Sequence, residues 1–329
     1  MRFALPVFFV AIAALLVAQD DGKAKIEWKE SWKAAQEVAK KEKRLVAVYF
    51  SGSRCPWCRR FEHGTLSDGE VARIMNETFV PCRPSGEEAR GMAKKYHVRG
   101  VPHTLFLTAA GEEVMRIRGY VDVPLFKLMA ARAEKAGAAL TAVAEAPEDA
   151  SKRVALGEAM RVARQYERAE KEFKKAAELD ADNEKGAKAR ALFDLAELYT
   201  LFMPAKDAEV KERAEKVLET LKELEKLDPK FLGLETEVSL MRLMAGLMAK
   251  MEEKDPKERA GELRKELGAY LEKYPKTRYG ALLKLHLAQA NYTLGDKNKA
   301  IEWLERIVKE HPGTEEAYIS KRALDRLKR

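Results

Sequence analysis

The feature that most narrows the folds open to this chain is Leu45-Val46-Ala47-Val48-Tyr49-Phe50, six apolar residues in a row and rich in strand formers. A run without polar alternation reads as a buried strand, which needs other elements packed around it. The flanking sequence supplies them. Residues 28–43 predict an amphipathic helix with Trp32, Ala35, Val38 and Ala39 on one side. After the run, Ser51-Gly52-Ser53 turns the chain into a second helix, where Phe61, Leu66, Val71 and Ile74 would face a core, with a break near Gly64. Residues 79–83 are a short strand candidate, 86–96 a helix and 104–108 a strand. Ala109-Ala110-Gly111-Glu112 makes a hairpin turn into a partner strand at 114–119, and residues 124–135 form a closing helix. This alternation predicts a compact α/β domain over residues 26–136.

Beyond that point the strand signals stop. Residues 137–150 are alanine-rich around Pro147 and read as a linker, and residues 151–329 read as helix after helix. Leu156-Gly157, Ala169, Phe173 and Ala176 recur in spirit as Leu287-Ala288, Gly295-Asp296, Ala300, Leu304 and Pro312. Looser copies lie around Leu195-Ala196-Tyr199 and over residues 243–275. The pattern resembles tetratricopeptide (TPR) repeats, in which small residues let paired helices approach and a large apolar residue fills the groove. The resemblance implies an all-α, TPR-like repeat domain, with a plain helical bundle as the alternative.

A chain of 329 residues is long enough for two such domains. Its 61 basic and 53 acidic side chains leave a net charge of +8, but the two signs are interleaved. That argues for a solvated surface and against nucleic acid as a partner. Met1 and Arg2 lead into an apolar run at residues 3–18 that ends Leu16-Val17-Ala18 before Gln19-Asp20-Asp21. A basic residue, an apolar core and a small residue before a polar stretch have the form of a secretory signal peptide, here residues 1–18. The run is shorter than the ~20 residues that cross a bilayer, so retention as an N-terminal membrane anchor facing away from the cytosol is the second reading. Membrane contact is expected only in that case. A periplasmic or extracellular location, where disulfides persist, is the first.

Two of the three cysteines, Cys55 and Cys58, stand two residues apart at the start of the second predicted helix. A helix N-terminus carries partial positive charge and unpaired N–H groups, which favour a thiolate. Pro56 suits the first helical position, where no N–H is needed. Cys55 is therefore expected to be the exposed, attacking sulfur, and Cys58, one turn later and turned inward, the resolving one. Haem attachment would need histidine after the second cysteine, and Arg59 stands there. Structural zinc would need four ligands, and only Cys82 and scattered histidines remain. A static disulfide closing so small a loop would stabilise little. The redox reading is the better supported, and it asks for no cofactor beyond the cysteine pair itself.

Residues 27–135 resemble an exported, thioredoxin-like domain on three features in that family's order. A buried strand leads into Cys55-Pro56-Trp57-Cys58, the stretch Arg99-Gly100-Val101-Pro102-His103-Thr104-Leu105-Phe106 matches the segment holding the family's cis-proline, and Gly111 and the strand before Gly119 match the closing hairpin. The resemblance implies a thiol–disulfide oxidoreductase with protein disulfides or dithiols as substrates. It implies a cis Val101–Pro102 bond beside the cysteines, with the Val101 backbone pairing to a substrate chain in strand-like fashion. Pro56, Trp57, Val101, Pro102 and His103 are the candidate substrate-contacting residues. The chain departs from the best-known thioredoxins in its Pro-Trp dipeptide and in Tyr49, which stands where they keep a buried aspartate. Glu62, four residues after Cys58 on the same helix face, is the candidate proton relay in its place, or a substrate-orienting group; a solvated carboxylate paired with Arg59 is the plainer reading.

Trp57 is expected to be exposed, Cys82 to be a small buried core residue, and His63 and His103 to flank the site, a surface position being the commoner one for histidine. Asn76-Glu77-Thr78 and Asn291-Tyr292-Thr293 match the glycosylation pattern, which is frequent by chance. Two functions follow. One is disulfide exchange with protein substrates, aided by docking on the helical repeats; the other is a non-catalytic adaptor that uses both parts as binding platforms. Intact cysteines favour the first.

Overall fold

The computed structural model describes residues 25–202, 209–228, 235–250 and 255–328. The candidate signal segment, residues 1–18, lies outside them. The first helix, α1 (Trp32–Glu42), starts four residues later than its periodicity suggests, because Ser31 caps it by accepting from the Ala34 N–H (3.2 Å). Lys29, just before, is held to the sheet instead: its N–H donates to Pro81 O (2.8 Å) and its carbonyl accepts from Arg83 N (2.9 Å).

Four strands follow the expected order: β1 (Leu45–Phe50), β2 (Phe79–Cys82), β3 (His103–Leu107) and β4 (Glu113–Arg118). They lie side by side as β2-β1-β3-β4, with β1 and β2 parallel and the other two pairings antiparallel. Between them run α2 (Pro56–Gly64), α3 (Gly69–Thr78) and α4 (Gly86–Lys95). Strand period 2 sends Val46, Val48 and Phe50 to one face with Ala35, Ala39, Met92 and Tyr96, and Ala47 and Tyr49 to the other with Phe61, Met75 and Phe126. Burying both faces explains the unbroken apolar run of β1. Phenylalanines 61, 79, 106 and 126 are fully buried, each contributing about 2–3 kcal/mol of transfer free energy. At the β3–β4 turn Gly111 has φ 83°, a left-handed conformation, and a Cβ there would lie 3.1 Å from the Tyr96 hydroxyl.

Residues 137–150 are not a linker. The closing helix α5 runs Val123–Glu145 and buries Ala133, Ala136 and Val143. The small residues that suggested a flexible segment serve close packing: a Cβ on Gly137 would lie 2.8 Å from Leu45 Cδ1. Only residues 146–149 separate α5 from the next helix, and one hydrophobic core runs through the sheet domain, α5 and the helices beyond.

Those helices are α6 (Ala150–Val162), α7 (Tyr166–Leu179), α8 (Ala187–Glu197), α9 (Val210–Leu227), α10 (Glu235–Ala249), α11 (Pro256–Lys273), α12 (Gly280–Thr293), α13 (Lys297–Glu310) and α14 (Glu315–Leu327), with a π-helical turn Leu198–Phe202 after α8. Consecutive helices pack on one another. Gly157 sits under the Phe173 ring, where a Cβ would come 2.5 Å from Cε1. Asp194 and Glu197, both buried, hold Arg190 (2.9 Å), Arg161 (3.4 Å) and Arg278 (2.8 Å), and Glu197 also accepts from the Tyr279 hydroxyl. The last helix returns to the sheet domain. Glu315 at its start pairs with Arg132 of α5 (2.7 Å) and with Arg164 of the α6–α7 turn, while Arg168 of α7 pairs with Glu112 (2.6 Å) and donates to Glu113 O (2.7 Å).

Candidate active site

Cys55 is the N-cap of α2 and Pro56 its first residue. The local sequence explains the start, since proline has φ preset for a helix and no N–H to satisfy. The Cys58 N–H, which has no earlier carbonyl to bond, donates to Cys55 Sγ at 3.1 Å. The two sulfurs are joined in a disulfide, with Cα atoms 5.2 Å apart. Cys58 is 1% exposed, whereas Cys55 is only half-buried. One sulfur is thus presented and the other covered. The Cys58 N–H donated to Cys55, the helix dipole and the exposed neighbours Arg54 and Arg59 all favour negative charge on that sulfur once it is reduced.

The Val101–Pro102 peptide is cis, and Cys55 Sγ lies 3.5 Å from the Val101 carbonyl oxygen. Val101 is exposed and Pro102 buried beneath it. The Pro102 carbonyl accepts from Gly119 N–H (2.9 Å), which ties this loop to the end of β4. On the other side of the cysteines Trp57 is 55% exposed, its ring 6.0 Å from that of Tyr120, and Arg60 lies over both rings. Cys55, Pro56, Trp57 and Val101 are therefore brought to one surface, with Pro102 buried under Val101.

Glu62 also belongs to the site, but with partners the sequence reading did not name. Its ion pair is with Arg83 (2.6 Å), not Arg59, and the same Oε1 accepts from the hydroxyls of Ser51 (2.8 Å) and Tyr49 (3.2 Å). Oε2 has no hydrogen-bond partner among the described residues. Tyr49, standing in place of the aspartate, is directly bonded to the candidate relay. Burial pushes its hydroxyl up to about 12, against the pull of Ser51 and with a smaller push from Glu62, so it remains a donor. Cys58 and Glu62 line one open cleft of about 930 Å³ that also includes Ser51, Arg59, Arg83 and Arg90. Arg83 arrives there because β2 is parallel to β1 with Cys82 opposite Val48, which sets the next residue level with Tyr49. No local pattern signals that register.

His103 is brought near the site but is 4% exposed, not on the surface. It begins β3 between Phe50 and Arg118, and a hydrogen bond joins it to the Gly100 backbone. Nε2 has no hydrogen-bond partner among the described residues. Burial, with Arg116 and Arg118 beside it, lowers its pKa to about 4, so it is neutral at physiological pH. His63 is exposed. Cys82 is buried in β2 as expected, and burial, reinforced by Glu88, pushes its thiol up to about 12, a protonated and unreactive state. Asn291 is buried, with its amide donating to Leu287 O (2.7 Å), which removes it as a glycosylation acceptor.

Residues 32–134 match the family described as a thioredoxin-like domain. This part of the chain is a thioredoxin-like domain. It holds the CxxC pair, and the rest of the described chain is helical. Among solved structures the chain is similar to one titled DsbH oxidoreductase, at 19% identity, covering 37% of this chain and 92% of that one with a TM-score of 0.33. It is also similar to a thioredoxin from Thermus thermophilus, at 28% identity over 36% of this chain and 93% of that one, again with a TM-score of 0.33. No curated protein sequence matches the chain. The thioredoxin-like domain with its cysteine pair has the fold of thiol–disulfide oxidoreductases.

Proposed function

We propose that the chain is an exported thiol–disulfide oxidoreductase that exchanges disulfides with polypeptide substrates. One observation carries this reading: a half-exposed Cys55 sulfur at a helix N-terminus, beside the Val101 carbonyl, with Cys58 covered directly behind it. In the reducing direction the Cys55 thiolate attacks one sulfur of a substrate disulfide. A mixed disulfide forms, and the other substrate sulfur leaves as a thiolate that takes up a proton. Cys58 then loses its proton and attacks Cys55 Sγ, forming the intramolecular disulfide and releasing the second substrate thiol. Two electrons pass from the enzyme dithiol to the substrate, and the same steps run backwards when the pair oxidises a dithiol.

The Val101 backbone aligns the substrate chain, and Trp57 and Pro56 form the rest of the contact surface. Glu62 accepts the Cys58 proton through the solvent of their shared cleft, with Tyr49, Ser51 and Arg83 fixing one carboxylate oxygen and leaving the other available. Helices α6–α14 act as a TPR-like docking surface, a reading supported by the small-residue contact of Gly157 with Phe173. Export rests on the pattern of residues 1–18, and mass spectrometry of the N-terminus in the cell-envelope fraction checks it.

Insulin reduction by the full chain, with dithiothreitol as electron source, tests the catalytic reading. Cys55→Ser should lower turnover at least about a thousandfold, and Cys58→Ser should accumulate mixed disulfides at Cys55. Exchange that persists without Cys55, or no exchange at all, overturns it in favour of an adaptor.

A further inference from the structure

A second cleft, of about 990 Å³, lies between the edge strand β4 and the helices α7 and α14. Three observations make it more than a seam between two packed regions. It shares Tyr120 with the catalytic surface, since that ring lies 6.0 Å from Trp57, and Gly119 just before it bonds the Pro102 carbonyl. Its far wall is set in place, because the Glu315 pairs with Arg132 and Arg164 fix the start of α14. That wall also presents unfinished chemistry. Ile319 is 39% exposed beside half-buried Tyr318; Arg322 lies over the Tyr318 ring (5.9 Å) and bonds its hydroxyl, but neither Arg322 nor Arg118 on the opposite side has a carboxylate partner among the described residues.

We infer that this cleft is the continuation of the substrate groove, taking the segment on one side of the substrate's reactive cysteine when that segment is extended and carries apolar and acidic side chains. The inference rests on reading the Cys55–Cys58 pair as a site of disulfide exchange. Apolar side chains cover Ile319 and Tyr318, and carboxylates complete Arg118 and Arg322. β4 is the outer strand of the sheet, so an extended segment lies alongside it from the Val101 loop toward α14. The helical part of the chain thereby selects substrates at the catalytic surface itself.

The test uses the full chain with dithiothreitol as electron source and three substrates. Two are disulfide-linked fluorescent peptides that differ only in one flank, Glu/Leu-rich in the first and Lys/Ser-rich in the second, and the third is the small neutral bis(2-hydroxyethyl) disulfide. The parent protein should show a KM about tenfold lower for the acidic–apolar peptide at equal kcat. Replacing Ile319→Glu together with Arg322→Glu should abolish that preference while leaving turnover of the small disulfide unchanged. Equal KM values for the two peptides in the parent protein overturn the inference without any variant, as does a preference that survives both substitutions. If the small disulfide is not reduced in a Cys55-dependent way, the catalytic reading fails instead, so the two failures are distinguishable.

Discussion

The two halves of this chain gather polar groups for different ends. In the thioredoxin-like half they gather at one end of the sheet, where buried Tyr49 and His103, half-buried Glu62 and Ser51 and exposed Arg83 lie on the cysteine side. In the helical half they lie between helices, where Asp194 and Glu197 tie α6 and α8 to the residues that lead into α12. The first set leaves loose ends: one Glu62 oxygen lies in a cleft beside Cys58, and His103 keeps a nitrogen without a partner. The second sets two acidic groups between three guanidinium groups and a tyrosine, and it too has loose ends, since Asp194 Oδ1 and Arg161 Nε are buried without a hydrogen-bond partner among the described residues. What separates the two is their surroundings: the acidic groups of the helical half meet cations from several helices, whereas Glu62 shares an open cleft with Cys58, the position that the proposed proton relay requires.

Breaking the helical fastening should have the largest effect on stability. Arg278→Met leaves Glu197 undercompensated, and urea unfolding should show a loss of about 3 kcal/mol with the rate of disulfide exchange unchanged. A variant as stable as the parent would erase the contrast. Glu62→Gln should behave in the opposite way, slowing resolution of the mixed disulfide about a hundredfold in rapid-quench measurements while barely moving the unfolding midpoint. Lost stability with an intact rate would class Glu62 with the fastenings. Gly157→Ala pushes a methyl into the Phe173 ring and should cost about 2 kcal/mol, with hydrogen exchange rising in α6 and α7 and not in the sheet. The smallest effect is a pH dependence at His103. Its pKa is 6.5 in the ordinary state and about 4 in the fold, so between those values the unfolded chain binds a proton that the folded chain refuses. Stability is full above the first value and is lost as pH falls toward the second. Thermal denaturation should register about 1 kcal/mol of loss across that window, absent from His103→Phe.

Much of the thioredoxin-like half was legible because its signals are local. The unbroken run of β1, the hairpin around Gly111, the break at Gly64 and a proline after Cys55 each act within a few residues. The cysteine pair was legible for the same reason, since helix-start geometry alone separates a presented sulfur from a covered one. Residues 137–150 misled because alanine and glycine give the same composition whether they loosen a linker or let α5 close on Leu45. His103 misled because histidine prefers surfaces on average, while a place at the start of a central strand buries any side chain.

By itself, then, the sequence determined most of the kinds of element, their order and a cysteine pair at a helix start, since caps, turns and hydrophobic periods depend on neighbours a turn or two away. Only the tertiary structure decided that Arg83 and not Arg59 holds Glu62, that α5 carries the core onward, and that α14 returns to face β4. Those contacts join residues tens to hundreds of positions apart. They are set by strand register and helix packing over the whole fold, which no short window of residues specifies.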